Sequence, residues 1–225
     1  MNDLSPTSVL TETFAELPPA RRFKVREIFH ERKFSAGETI FLQEDPASAI
    51  YLITEGRIKI ERVTPDGYQS VLCVRGPGDI FCPVPLLDRG TQLGTARAMT
   101  DVTLLWAERE EFNIACADCS QLMALVQRDC LLEVRRIVGR MESFAFRNIR
   151  ERVAYTVLEE SARNADHGEP QNELRITHQE LAGLVGASRE SVSRTLSKLE
   201  QAGMVETGRG RLIIRDRAKL QRILR

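Results

Sequence analysis

Arg189, Glu190, Ser193 and Arg194 have the residue types and the spacing to read the edges of DNA bases. An arginine guanidinium pairs bidentately with guanine, a glutamate accepts from cytosine N4, and a serine hydroxyl can do either job. On a helix these four positions lie close together, with Ser197 and Lys198 extending the polar face. Val192, Leu196 and Leu199 recur at helical spacing on the opposite face, toward a core. Ser188 is placed to cap the helix. Just upstream, Thr177 and Glu180 form a capping-box pattern at the start of a first helix. Leu181, Ala182, Leu184 and Val185 supply its buried face, and Gly186 provides the left-handed turn that ends it. Two short helices, a tight turn and a polar second helix predict a helix-turn-helix whose second helix enters the major groove.

The chain beyond supports this reading. Gln201-Ala202-Gly203 stops the helix, and Met204-Val205-Glu206 begins an extended segment. Gly208-Arg209-Gly210 turns, and Arg211-Leu212-Ile213-Ile214-Arg215 returns as a second strand. Such a hairpin is a wing, with Arg209 and Arg211 near its tip where a phosphate backbone would lie.

The charge distribution agrees. The net charge is zero, yet residues 173–225 carry 11 Lys and Arg against 6 Asp and Glu, whereas residues 1–117 carry 13 against 17. An acidic half joined to a basic one suits a ligand-gated nucleic-acid binder. No apolar run approaches the ~18 residues of a membrane span, and the polar N-terminus does not read as a signal peptide. A cytoplasmic protein without a membrane partner is expected. The three histidines (His30, His167, His178) are scattered, and there is no Ser/His/Asp grouping or phosphate loop, so an enzyme is not expected.

From Phe34 to Trp106 the chain reads as short strands divided by turn residues. Thr39-Ile40-Phe41-Leu42, Ile50-Tyr51-Leu52-Ile53, Arg57-Ile58-Lys59-Ile60-Glu61, Ser70-Val71-Leu72-Cys73-Val74 and Val102-Thr103-Leu104-Leu105-Trp106 are the predicted strands. Thr64-Pro65-Asp66-Gly67 is a hairpin signal. Strands at this spacing predict a sandwich or a closed roll. Leu122, Val126, Cys130, Val134, Ile137 and Met141 then recur at spacings of three and four, a stripe suited to pairing a long helix with its twin. Phe144-Ala145-Phe146 reads as an apolar hinge, Asn148 with Glu151 as the cap of a helix reaching about Arg163, and residues 165–170 as a polar loop.

On these motifs the chain resembles the cyclic AMP receptor protein/FNR (CRP/FNR) family of bacterial transcription regulators. The resemblance is carried by Ile176 to Arg194 and by the order of Gly37, Gly56 and Gly78-Asp79, and it covers nearly the whole chain. It implies an α+β fold: an N-terminal β-roll of the cyclic-nucleotide-binding type, a long dimerisation helix and a C-terminal winged helix-turn-helix. The implied boundaries are 1–118 for the roll, 119–147 for the helix and hinge, and 148–225 for the DNA-binding domain. The implied partners are double-stranded DNA with palindromic TGTGA- or TTGAT-like half-sites and a second copy of the chain, with RNA polymerase a partner the family allows. The resemblance assigns base reading to Arg189, Glu190, Ser193 and Arg194, and phosphate contacts to Thr177, Gln179 and Ser188. His178 stands where an arginine is common.

The effector is where this sequence departs from the family. A cyclic-nucleotide cassette needs a Gly-Glu-Leu turn and an arginine for the phosphate. Here Cys82-Pro83-Val84 replaces that turn, and Pro83 removes both the carboxylate and a backbone donor. Leu93-Gly94 falls where Arg-Ser would sit, and Ile137-Val138 replaces a threonine–serine pair. Cyclic AMP is therefore not the expected ligand. Five cysteines offer another signal. Cys82, Cys116, Cys119 and Cys130 could hold an iron–sulfur cluster or zinc, or form a redox disulfide. Haem on Cys82 is disfavoured by Val84, because the CO-sensing branch places a histidine there. Cys119 and Cys130 would stand about 16 Å apart on one continuous helix. Sharing a cluster therefore requires the helix to start after Cys119, with Ser120 as its cap, or ligands from two subunits. Otherwise Cys73 and Cys130 are small buried hydrophobes. The sequence thus leaves two readings: a redox, gas or metal signal through the cysteines, or an effector-independent regulator set by its abundance.

Overall fold

Two helices, α1 (Pro6–Thr13) and α2 (Pro19–Glu27), precede strands β1 (His30–Phe34), β2 (Thr39–Phe41), β3 (Ala49–Glu55), β4 (Ile58–Val63), β5 (Gln69–Arg75) and β6 (Ile80–Phe81). A short helix, α3 (Pro83–Asp88), leads to β7 (Thr95–Ala98) and β8 (Val102–Glu108), and then to α4 (Arg109–Asp118) and α5 (Ser120–Phe146). The computed structural model describes residues 6–63, 69–81, 83–166 and 170–225. The chain divides into two units, Met1–Val134 and Arg135–Arg225, with α5 running from one into the other.

In the first unit the strands form two antiparallel sheets, ordered β1-β8-β3-β6 and β2-β7-β4-β5. Strand β3 shows why this unit needs both sheets and helices. Ile50 and Leu52 point into a cluster with Leu10 of α1 and Phe14 just after it, Phe112 and Cys116 of α4, and Leu122 and Val126 of α5. Ile53, with Tyr51 beside it, faces a second cluster that holds Phe34, Phe41, Ile58, Phe81 and Leu104. A strand covered on both faces reads as a nearly unbroken apolar run rather than an alternation. Tyr51 and Phe81 stack at 4.9 Å between ring centroids, with Phe41 6.1 Å from Phe81.

The structure corrects the expected dimer stripe. Leu122 and Val126 are fully buried within their own chain, packed into the helix-side cluster of the roll. They have no surface left to give to a second copy. Val134, Ile137 and Met141 are exposed, and so are Leu131 and Val138. Leu131, Val134, Val138 and Met141 follow the three–four–three spacing of a coiled-coil seam.

Strand β4 also departs from strict alternation. A register shift between Ile60 and Glu61 buries Glu61, whose carboxylate is held by Lys59 Nζ at 2.6 Å and Arg97 Nε at 3.3 Å. The Thr64–Gly67 turn, Cys82 and residues 167–169 lie outside the described residues.

The second unit adds α6 (Ile149–Asp166), β9 (Glu173–Leu174), α7 (His178–Val185), α8 (Arg189–Gln201), β10 (Val205–Gly208), β11 (Arg211–Ile214) and α9 (Arg217–Arg222). Asn148 Oδ1 accepts from the backbone N–H groups of Arg150 and Glu151, and Glu151 accepts from the Asn148 N–H. This is the predicted cap. Val153, Ala154 and Val157 of α6, Leu181 and Leu184 of α7, and Val192, Leu196 and Leu199 of α8 are all buried. The hairpin β10–β11 is extended to three strands by β9.

Candidate nucleic-acid interface

The reading face is built from caps outward. Thr177 Oγ1 accepts from the Glu180 N–H at 3.2 Å, and Glu180 Oε2 accepts from the Thr177 N–H at 2.6 Å. Both halves of the predicted capping box are present, which fixes where α7 begins. Gly186 ends it with φ of +65°, as expected of a left-handed cap. Space imposes a second demand on this glycine, because a Cβ there would stand 2.7 Å from Phe144 Cε1. Ser188 then opens α8, its Oγ accepting from the Ser191 N–H at 3.2 Å and bonding the Ser191 hydroxyl at 3.0 Å.

These constraints leave Arg189, Glu190 and Arg194 exposed on one face of α8, with Ser193 half-buried among them. The structure therefore brings together the four residues expected to read bases. Of the expected phosphate contacts, Gln179 and Arg209 are exposed, and Thr177 and Ser188 use their hydroxyls first as caps. Arg211 is exposed and lies 3.7 Å from the Glu173 carboxylate. Gly210, with φ of +70°, makes the turn that carries Arg209 and Arg211.

Two contacts were not anticipated. His178 Nδ1 is 2.8 Å from Ser193 Oγ, joining the first residue of α7 to the reading face. Glu200 Oε1, near the end of α8, accepts from the Thr207 backbone N–H at 2.8 Å. Neither has a local sequence signal. By contrast, Leu131 and Val138 could have been found from their spacing with Val134 and Met141.

Of the expected effector residues, Cys116, Cys119 and Cys130 are among the described residues and Cys82 is not. Cys116 and Cys119 share the helix-side apolar cluster of the first unit. Burial pushes the Cys116 thiol up to about 11, and the neighbouring Cys119 adds to the shift. Cys130 is half-buried, and its thiol too is raised, first by burial and then by Asp129. Helix α5 does begin after Cys119, with Ser120 as its first residue rather than its cap. Among the described residues no three His, Cys, Asp or Glu side chains are grouped to hold a metal, and Cys82, the fourth of the expected set, lies outside those residues. None of Cys73, Cys116, Cys119 and Cys130 is in a disulfide.

Nor do the described residues fit a cyclic phosphate. Leu93, at the place of the cassette arginine, is exposed and apolar. Arg97 is committed to Glu61 and, at 3.0 Å, to the Gly37 carbonyl. Arg109 donates to the carbonyls of Ala47 and Pro85 and so ties α3 to the roll. None of these three described residues offers an anion an uncommitted charge partner.

Residues 31–119 match the model of the cyclic nucleotide-binding domain, and residues 151–223 that of the Crp-like helix-turn-helix domain. The chain is 32% identical over 202 residues to a cyclic AMP receptor protein of Thermus thermophilus, covering 87% of this chain and 88% of that one. It is 28% identical to the nitrogen fixation regulation protein FixK of Bradyrhizobium diazoefficiens, over 84% of this chain and 79% of the relative. Among solved structures, FixK2 of Bradyrhizobium japonicum superposes with a TM-score of 0.78 at 22% identity, covering 87% of this chain and 97% of that one. The catabolite activator protein of Thermus thermophilus gives 0.55 at 30% identity, covering 94% and 97%. No helix among the described residues is long and apolar enough to cross a membrane. With a roll of the matching type, a capped helix-turn-helix and a relative sharing almost a third of its residues over most of both chains, this chain belongs to the CRP/FNR family of DNA-binding transcription regulators.

Proposed function

We propose that the protein acts as a homodimer that lays α8 of each copy in successive major grooves of a palindromic operator. The observation that carries this is the capped α7–turn–α8 unit with Arg189, Glu190 and Arg194 exposed on one face. Arg189 and Arg194 pair with guanine and Glu190 with cytosine, and Ser193 completes the reading face. Thr177, Gln179, Ser188, Arg209 and Arg211 position the motif on the phosphates. Exposed Leu131, Val134, Val138 and Met141 form the seam between copies, with Ile137 at its edge. Two-fold symmetry then sets the reading heads one helical turn apart, ~34 Å.

Beside control by a redox, gas or cluster signal through the cysteines stands a second reading, an effector-independent regulator set by its abundance, in keeping with the lack of any metal-holding group of three His, Cys, Asp or Glu among the described residues.

Mobility shift on duplexes with paired TGTGA or TTGAT half-sites tests the main reading. A sequence-specific complex of two chains per duplex is expected. Its absence both in air and under anaerobic conditions overturns the assignment. Anaerobic purification followed by a visible spectrum and metal analysis tests the second point. A colourless, metal-free protein with equal operator affinity in both conditions supports it; a brown protein with iron and sulfide, or a Soret band, overturns it.

A further inference from the structure

His178 and Ser193 are 15 positions apart in sequence, yet Nδ1 of one lies 2.8 Å from Oγ of the other. Ser193 sits among Arg189, Glu190 and Arg194, the residues assigned to base edges, and it is half-buried where they are exposed. A serine hydroxyl has one proton to give and two lone pairs, so unpaired it rotates to suit whichever base it meets. That tolerance is a poor basis for discrimination.

The imidazole narrows that tolerance. Where Nδ1 accepts, the Ser193 proton is spent on His178, and the hydroxyl offers only lone pairs to the groove. It then matches the amino group of adenine or cytosine. Where Nδ1 carries the proton, His178 donates to Oγ and the serine proton is left for O4 of thymine or O6 and N7 of guanine. With Nδ1 accepting, Ser193 is held to the acceptor role alone; with Nδ1 donating, the hydroxyl keeps its proton and one lone pair, and the contact fixes only where they point.

We propose that His178 is a positioning residue for base readout, fixing the hydrogen-bond role of Ser193 and so narrowing the base pair that this serine accepts. The proposal rests on the docking of α8 described above. It gives His178 a duty distinct from a phosphate contact: such a contact changes affinity uniformly across sequences, whereas His178 changes preference at one base pair.

Fluorescence anisotropy tests it, using labelled palindromic duplexes with TGTGA and TTGAT half-sites and every symmetric single base-pair replacement. The wild type is compared with His178→Ala, His178→Asn, Ser193→Ala and the double alanine variant. One base-pair position is expected to lose roughly three- to tenfold of its discrimination in His178→Ala, the worth of a single hydrogen bond. The same position is affected in Ser193→Ala, and the double variant is no worse than Ser193→Ala alone. His178→Asn, whose amide offers a polar atom near the place of Nδ1, restores the preference. It also separates a lost contact from a misfolded motif.

Uniform weakening on every duplex with a shallower salt dependence makes His178 a phosphate contact and overturns the proposal. An unchanged preference in His178→Ala overturns it equally. A wild-type protein with no sequence-specific binding to any duplex removes the docking assignment itself, a failure visible before any variant is made.

Discussion

Glu200 and Thr207 tie the recognition helix to the wing: Glu200 Oε1 accepts from the Thr207 N–H at 2.8 Å and from its hydroxyl at 3.2 Å. A carboxylate on α8 thus sets the position of β10, and through the hairpin that of Arg209. Glu200→Ala should leave the fold intact, because Glu200 is exposed and such a bond contributes only about 1 kcal/mol. Operator affinity is expected to fall two- to fivefold, the worth of roughly 0.5–1 kcal/mol, with base preferences unchanged. Anisotropy titrations of wild type and variant check both points.

Base readers and phosphate contacts should separate cleanly. Arg194→Ala is expected to cost about 1–3 kcal/mol at one base pair and to relax preference there. Arg209→Ala should weaken every duplex alike and reduce the slope of log affinity against log salt by about one. Binding measured between 50 and 200 mM salt, a range over which phosphate contacts have large effects, distinguishes the two.

The two apolar faces of α5 give opposite phenotypes. Leu122→Ala opens a cavity in the core of the roll and should cost about 2–5 kcal/mol, seen in denaturant titration. Val138→Asp, on the exposed seam, should leave each copy folded and convert dimer to monomer in sedimentation. A monomeric wild type would show the seam to be something else.

Alkaline stability should depend on Cys116. Its folded-state thiol is raised from the ordinary 9.0 to about 11, so the folded state keeps a proton that the unfolded chain releases first. Stability from this group is present in full below pH 9 and is lost as pH climbs through 11. Cys116→Ala should flatten that decline, which urea unfolding at half-unit pH steps would show. Alkylation of Cys116 at pH 8 should be correspondingly slow.

The sequence was most legible where structure is local. The Thr177–Glu180 box, the left-handed Gly186 and the Ser188 cap each depend on residues within four positions, so their chemistry can be read in place. The apolar stripe of α5 was half legible. Periodicity shows that Leu122 and Val134 share a pattern, but not that the roll covers the first and leaves the second open. Strands β6 and β7, with two and four residues, are too short for a period to emerge. Buried Glu61 was hidden for another reason: a bulge shifts the register, and only the fold brings Lys59 and Arg97 to the carboxylate. The His178–Ser193 and Glu200–Thr207 contacts depend on how two helices, or a helix and a strand, come to lie together.

Gly186 answers to two masters, a backbone with φ of +65° and the ring of Phe144 standing where a side chain would go. Trimming Phe144 would clear the space but leave the twist of the chain unrelieved. Asparagine would tolerate the twist and still strike the ring. A genetic selection for second-site revertants should therefore recover smaller residues at 144 from Gly186→Asn, which lacks only space, and none at 144 from Gly186→Ala, whose left-handed backbone no change of the ring relieves.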